Sequence, residues 1–302
     1  MNIAGISEKA RYLKLAAFNL SEGMRTGSFR SCFRGQGMEF DGVRDYEAGD
    51  DIRSIDWNVT ARSGRPFVKL YREERELTVF LVVDDSLSMT TGTAERSRKD
   101  AALESSALLA FACEYNASPL GSVVFDGSVG RLFKPRTGRD HLLSLLSDLE
   151  RRSRTVPGSA LAAAIGGASR VLRSRALVVI ISDFRAAGYE KELGILSRRH
   201  DVLAIRITAV CDTQLPSAGF LSFRDPESAI VRDFPTSSSS FKLYWERENR
   251  EALARWEQRC LRLGVSPLVL PIEQDTGMVL TRFFSGRRSH GMQHHGIAGD
   301  HV

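Results

Sequence analysis

An α/β fold with a doubly wound, mainly parallel sheet is predicted by three observations. Two unbroken apolar runs, Leu77-Thr78-Val79-Phe80-Leu81-Val82-Val83 and Leu177-Val178-Val179-Ile180-Ile181, have the length and β-branched content of strands buried on both faces. Each leads into a polar, turn-prone segment that carries an aspartate, Asp84 in one and Asp183 in the other. Strand and helix patterns then alternate as far as residue 271, as parallel strands joined by right-handed helical crossovers require.

Taken in order, residues 5–20 place Ile6, Ala10, Leu13, Ala17 and Leu20 at helical spacing, and a Gly- and Arg-rich segment runs from Gly23 to Gly37. From Met38 to Tyr71 the pieces are short. Asp41-Gly42 and Gly49-Asp50-Asp51 are turn signals, and the alternating Ile52-Arg53-Ser54-Ile55-Asp56-Trp57 fits short strands and turns. Residues 97–115 read as a helix. Gly121 to Phe125 and Gly130 to Phe133 read as strands joined by an Asp126-Gly127 hairpin turn. Helical patterns return over 141–149 and 160–172, a buried strand over 176–182, a helix over 190–199 and a strand over 202–207. Pro216, Pro226, Pro235 and the serines from 237 to 240 mark an irregular or hairpin insertion between 211 and 240. A long helix over 241–263 delivers a last strand at 267–271. The chain is therefore expected to comprise an N-terminal helix with a small β-rich module over 1–76, the α/β domain over 77–275, and a mobile tail over 276–302. His290, His294, His295 and His301 lie near the end of that tail.

With 302 residues, 42% of them hydrophobic, the chain is large enough to bury a substantial core. Its longest apolar runs fall far short of the roughly 20 residues of a membrane-spanning helix. Glu8, Lys9, Arg11 and Lys14 interrupt the stretch a secretory signal would need, so a cytoplasmic protein without a membrane span is expected. Cys32, Cys113, Cys211 and Cys260 form no C-x-x-C pair and read as free thiols. The net charge of +5 is distributed among closely alternating acids and bases, and no basic segment is interleaved with aromatics, which argues against a nucleic-acid partner.

The chemistry concentrates where the strands end, since open parallel sheets bind ligands at the carboxyl ends of their strands. Asp84-Asp85-Ser86-Leu87-Ser88 is a D-x-S-x-S cluster of hard oxygen donors, the kind a small divalent cation such as Mg²⁺ prefers. Ser86 and Ser88 offer hydroxyls, while Asp84 holds coordinated water and balances charge. Asp183 supplies a second carboxylate if the two strands are neighbours. Asp85 points away from Asp84 along the pleat and reads as an ordinary solvated or salt-bridged carboxylate.

An apolar strand followed by D-x-S-x-S, a later hydroxyl-bearing helix start and an apolar strand ending in Ser182-Asp183-Phe184 resembles the metal-ion-dependent adhesion site of von Willebrand factor type A domains. The likeness spans roughly residues 77–273. Upstream, Arg34-Gly35-Gln36-Gly37-Met38-Glu39-Phe40-Asp41-Gly42-Val43-Arg44-Asp45-Tyr46, then Gly49-Asp50-Asp51-Ile52-Arg53-Ser54-Ile55-Asp56-Trp57-Asn58, Gly64-Arg65-Pro66-Phe67-Val68-Lys69 and Arg72-Glu73-Glu74-Arg75 resemble the bacterial domain-of-unknown-function family numbered 58. That resemblance implies a von Willebrand type A-like domain, a partner AAA+ ATPase of the MoxR type, and a shared role in maturing other protein complexes, the client being unknown. It also implies metal ligands at Asp84, Ser86, Ser88, Ser159 and Asp183, with Mg²⁺ as the ion and Mn²⁺ or Ca²⁺ as alternatives. The middle position departs from the pattern. In Gly158-Ser159-Ala160-Leu161, Ser159 keeps the hydroxyl but Ala160 stands where a polar residue is usual, which weakens the site.

Two functions compete. One is a non-enzymatic adaptor whose metal site binds protein partners, with Arg44, Arg53 and Trp57 as further partner-binding residues, because exposed Arg and Trp are frequent interaction hot spots. Against that assignment, Trp57 could join Ile52 and Ile55 in a small β core, and the arginines could pair with Asp45, Asp50 or Asp51. The alternative function is a Mg²⁺-dependent phosphohydrolase using a strand-end aspartate as phosphoryl acceptor. Ser86 discriminates between them, because haloacid-dehalogenase-type phosphatases carry a second aspartate at that position. The sequence has no G-x-S-x-G elbow and no G-x-x-x-x-G-K-[ST] loop, so the ATPase must be another protein.

Overall fold

The computed structural model describes residues 34–47, 49–151, 156–224 and 230–286, together with positions 16, 17, 19–21 and 24. The chain divides into two units, Phe33–Leu77 and all the rest. The helix expected over 5–20 lies mostly outside the described residues; within it Ala16, Ala17 and Leu20 are helical and buried. Cys32 and the histidines of the tail also lie outside them.

In the smaller unit, β1 (Arg34–Asp45) pairs antiparallel with β2 (Phe67–Glu76), with register shifts at Gly35/Gly37 and Phe40/Gly42. The segment between them corrects the sequence reading. Short strands were expected around Ile52 to Trp57, but the chain makes a 3-10 turn (Ile52–Ser54) and then helix α1 (Trp57–Ser63). Two aspartates override the alternating pattern. Asp51 accepts from the Arg53 N–H at 3.0 Å, and Asp56 accepts from the Asn58 and Val59 N–H groups at 3.0 and 3.2 Å, so each caps a helical start. Gly64, at φ 71°, closes α1 in the left-handed conformation.

The larger unit is organised by β3 (Val79–Asp84), β4 (Leu120–Phe125) and β6 (Leu177–Ser182), every residue of which is buried. With β5 (Val129–Arg136), β7 (Asp201–Thr208) and β10 (Ser266–Pro271) they form one sheet in the order β10-β7-β6-β3-β4-β5. All neighbours are parallel except β4 and β5. Burial along β5 alternates, as befits an edge strand, and Pro267 and Pro271 are tolerated because β10 is the opposite edge.

Helices cover both faces. On one side α2 (Arg98–Tyr115) packs against β3, with α3 (Arg139–Arg151) and the last helix, α7 (Thr276–Gly286), beside it. Ser97 and Asp100 form a reciprocal capping box at the start of α2. On the other side α4 (Leu161–Val171), α5 (Glu190–Ser197) and α6 (Ser239–Arg262) bury Leu161, Ile165, Leu193 and Trp256 against Phe80, Val82, Val123 and Ile180. The doubly wound α/β fold is thus as the strand patterns predict. The insertion between 211 and 240 forms a hairpin of β8 (Phe220–Arg224) and β9 (Val231–Pro235). Its Phe223 and Phe234 contact Trp245 of α6, with ring centroids 6.4 and 5.6 Å away. Residues 276–286, assigned by sequence to the tail, are instead helix α7, because Leu280 and Phe284 at i, i+4 spacing are buried.

The turn after β4 has a tight steric requirement. A Cβ on Gly127 would overlap the Pro157 carbonyl oxygen, so only glycine lets the β4–β5 turn and the 156–160 loop approach one another. Gly127→Ala is therefore expected to lower the free energy of unfolding by about 1–3 kcal/mol. Urea unfolding of the two proteins checks this, and an unchanged midpoint contradicts it.

Candidate functional site

Parallel register brings the two aspartate-bearing strand ends together. Val83 of β3 lies opposite Ile181 of β6, so Asp84 and Ser182, the next residues on each strand, are neighbours. The Ser182 Oγ donates to Asp84 Oδ2 at 2.5 Å, and the Ser86 N–H donates to Asp84 Oδ1 at 2.9 Å. That second bond folds the D-x-S-x-S segment into an Asx-type turn. It sets the Ser86 and Ser88 hydroxyl oxygens 3.2 Å apart, Ser88 lying on the 3-10 turn Leu87–Thr90. Asp183 follows Ser182 directly. Its Oδ1 accepts from the Arg185 N–H at 3.1 Å, while its Oδ2 is buried without a hydrogen bond; Arg185 Nε stands 3.7 Å away. Asp84, Ser86, Ser88 and Asp183 are all buried.

The backbone is strained at the same point. Phe184 has φ 52°, a left-handed conformation that bulky residues rarely adopt. It is held there by its N–H, which donates to Ser182 Oγ at 3.0 Å, and by ring contacts to Tyr189 and Trp256 at centroid separations of 5.6 and 5.1 Å. Ser182 therefore ties Asp84 to the turn that aims Asp183. In the sequence Ser182 stands out only as part of a strand end. Its signal was a hydroxyl immediately before the strand-ending aspartate.

Burial dominates the electrostatics of Asp84. It pushes the carboxyl up to about 6, the nearby Asp183 charge acting in the same direction, against hydrogen bonds from Ser182 and Ser86 that favour the ionised form. Two carboxylates crowded in a buried place, one with an oxygen left without a hydrogen bond, form an environment that a cation would relieve. The donors are hard oxygens throughout. Among the described residues no three His, Cys, Asp or Glu side chains gather as a ligand cluster, so an ion here would be held by serine hydroxyls with two carboxylates, a set that fits Mg²⁺.

Ser159 lies on the loop before α4, exposed, one residue before Ala160, whose N–H donates to the Asp126 carbonyl at 2.6 Å. Asp126 organises that loop. Its carboxylate, buried at the end of β4, accepts from the Ser128 N–H at 2.8 Å and the Val156 N–H at 3.1 Å. The Asp126-Gly127 pair thus makes the expected hairpin turn and also tethers the loop that carries Ser159. Asp85 is paired with Lys99, its Oδ1 lying 2.5 Å from Nζ, in keeping with an ordinary salt-bridged carboxylate.

The three residues assigned to partner binding lie in the smaller unit. Arg44 forms a bidentate pair with Asp50, at 2.7 and 2.6 Å, which holds the loop after β1. Arg53 is exposed, and Trp57 and Ile52 are 66% and 65% exposed, so the small β core proposed for Trp57, Ile52 and Ile55 does not form. The aspartate caps described above turn these side chains outward.

Residues 42–255 match the family model described as "Protein of unknown function DUF58". An uncharacterized protein of Mycobacterium tuberculosis is 32% identical over 291 residues, which covers 94% of this chain and 90% of that protein. Among solved structures, the conserved hypothetical protein BatB from Bacteroides thetaiotaomicron is similar at 16% identity and TM-score 0.45, over 70% of this chain and 97% of that one. The SpRpn10 VWA domain is similar at 12% identity and TM-score 0.38, over 69% and 95%.

Asp84→Asn, in protein stripped of divalent cations, is expected to be more stable than the parent at pH 8, by on the order of 3 kcal/mol for a carboxyl displaced by about two pK units. Between 3.8 and about 6 the native state keeps a proton on Asp84 that the unfolded chain has released. The parent's stability therefore falls as pH rises through 6, and the advantage of the variant vanishes towards pH 4. Urea unfolding at the two pH values measures it; a variant less stable than the parent at pH 8 contradicts it.

Proposed function

This chain belongs to the DUF58 family, and we propose that its α/β domain is von Willebrand factor type A-like and that the protein is a non-enzymatic adaptor that binds protein partners through a divalent cation held between Asp84 and Asp183. The observation that carries this reading is the buried Asp183 Oδ2, without a hydrogen bond, beside the equally buried Asp84 and the paired Ser86 and Ser88 hydroxyls. Such a set, with Arg185 Nε 3.7 Å away as a partial offset to the Asp183 oxygen, is costly and well suited to Mg²⁺, with Mn²⁺ or Ca²⁺ as alternatives. When bound, the ion would offer an open coordination position to an acidic side chain of the partner.

The chain's own residues divide the remaining work. Ser182 fixes the Asp84 carboxylate, the Asp84 turn presents Ser86 and Ser88, and the left-handed Phe184 orients Asp183. Ser159 is the proposed additional donor from the neighbouring loop, and the exposed Arg53 and Trp57 are a second contact surface. An adaptor is favoured over a phosphohydrolase because Ser86 occupies the place of the second aspartate that such an enzyme uses as general acid.

The partner we propose is a MoxR-type AAA+ ATPase, acting with this chain on an unidentified client complex. The support is the family resemblance, together with the absence of a phosphate-binding P-loop from the sequence, which leaves ATP hydrolysis to another protein. The same reading puts the pair in the cytoplasm; no helix among the described residues is long and apolar enough to cross a membrane.

Asp84→Ala, with its fold verified by circular dichroism, is expected to lose the Mg²⁺-dependent capture of the purified MoxR-type ATPase. Capture that survives the substitution, or that is indifferent to EDTA, removes the cation from the mechanism.

A further inference from the structure

Next to the strand ends that carry Asp84 and Asp183, a cavity of about 210 Å³ opens where β6, β7 and β10 finish alongside the middle of α6. That is room for a side chain rather than a single water. Its charged and amide side chains are Asp183, Arg185, Arg206, Asp212, Asn249 and Glu273. Most of these groups are already engaged. Arg185 pairs with Asp212 at 2.6 Å, and the fully buried Arg98 reaches the same Asp212 oxygen at 2.5 Å. Glu273 accepts from the Val210 N–H at 2.8 Å, and Asn249 donates to the Trp245 carbonyl at 2.9 Å.

Arg206 differs from its neighbours. It is half-buried on β7, its guanidinium lies 5.4 Å from the Trp256 ring centroid, and among the described residues its side chain makes no hydrogen bond or ion pair. A half-buried guanidinium held over an aromatic face, with Asp183 and Asp212 near enough to act on its charge but neither in direct hydrogen-bond or ion-pair contact with it, is a preorganised carboxylate receptor, because the planar fork binds both oxygens at once. Around the cavity, Arg98, Arg185 and Arg206 balance Asp183, Asp212 and Glu273. A divalent ion on Asp183 would leave the surroundings cationic, and anion binding would then strengthen cation binding reciprocally.

We infer that this cavity is a second subsite of the partner-binding face, which takes a Glu or Asp side chain of the partner polypeptide against the Arg206 guanidinium. This rests on the reading of that face as one that binds protein. It adds that the recognised segment is acidic and carries at least two carboxylates, one for the cation and one for Arg206.

A fluorescent pentaglutamate peptide, with pentaglutamine as control, tests the inference by anisotropy in Mg²⁺ and in EDTA. The intact protein is expected to bind pentaglutamate and not pentaglutamine, and Arg206→Gln to weaken binding about tenfold, the loss of one charge-assisted contact. Equal binding of the two peptides, or unchanged affinity in Arg206→Gln, overturns the subsite. The arms separate it from the metal reading. An Arg206-dependent affinity that ignores EDTA keeps the subsite and removes the cation, whereas a Mg²⁺-dependent affinity that ignores Arg206→Gln does the reverse. Should Arg206→Gln not fold, the Arg206 Nε–Hε resonance of the unaltered protein decides: a shift on adding pentaglutamate supports the subsite, and an unmoved resonance overturns it.

Discussion

Side-by-side parallel pairing of β3 and β6 is the constraint from which the candidate site follows. Because the two strands run in register, their carboxyl ends finish together and Asp84 and Ser182 become neighbours although 98 residues separate them. One hydroxyl then does two things. Ser182 donates to the Asp84 carboxylate and accepts from the Phe184 N–H, so the same atom fixes the first acidic group and the turn that carries the second. The register cannot slip easily, since both strands are buried along their whole length between two helical layers.

That arrangement is not what stability alone would select. A carboxylate pushed up to about 6 by burial, a second one with an oxygen left without a hydrogen bond, and a bulky residue held at φ 52° each cost free energy, and all three fall within the ends of two adjacent strands. Unfavourable features gathered in one place at the carboxyl end of a parallel sheet support the proposed binding role of these residues. The neighbouring Arg206, stacked on Trp256 and facing a cavity, extends the same pattern by one strand.

Much of this was legible in the sequence where the signal is local and strong. The runs ending at Asp84 and Asp183 announced central strands because burial on both faces leaves no room for polar residues, and D-x-S-x-S announced a cluster of oxygens. What failed to show depends on distant register or on capping. Ser182 gains its role only once β3 is its neighbour. Asp126 looked like half of a hairpin turn, and its hold on the 156–160 loop comes from a residue thirty positions away. Around Ile52 to Trp57, alternation suggested strands, yet Asp51 and Asp56 were better satisfied as helix caps, and the turn they create leaves Trp57 facing solvent. Residues 276–286 read as tail because the helical spacing of Val279, Leu280, Phe283 and Phe284 is confined to eleven residues that end at Gly286, next to the polar, glycine-bearing end of the chain.

The most direct test of the central claim is anomalous diffraction from crystals grown with Mn²⁺, which locates the ion without assuming its ligands. A single strong peak within bonding distance of the Ser86 and Ser88 hydroxyls, flanked by the Asp84 and Asp183 carboxylates, is the expected result. Well-ordered density for all four residues with no peak between them, in crystals that hold Mn²⁺ elsewhere, would contradict it.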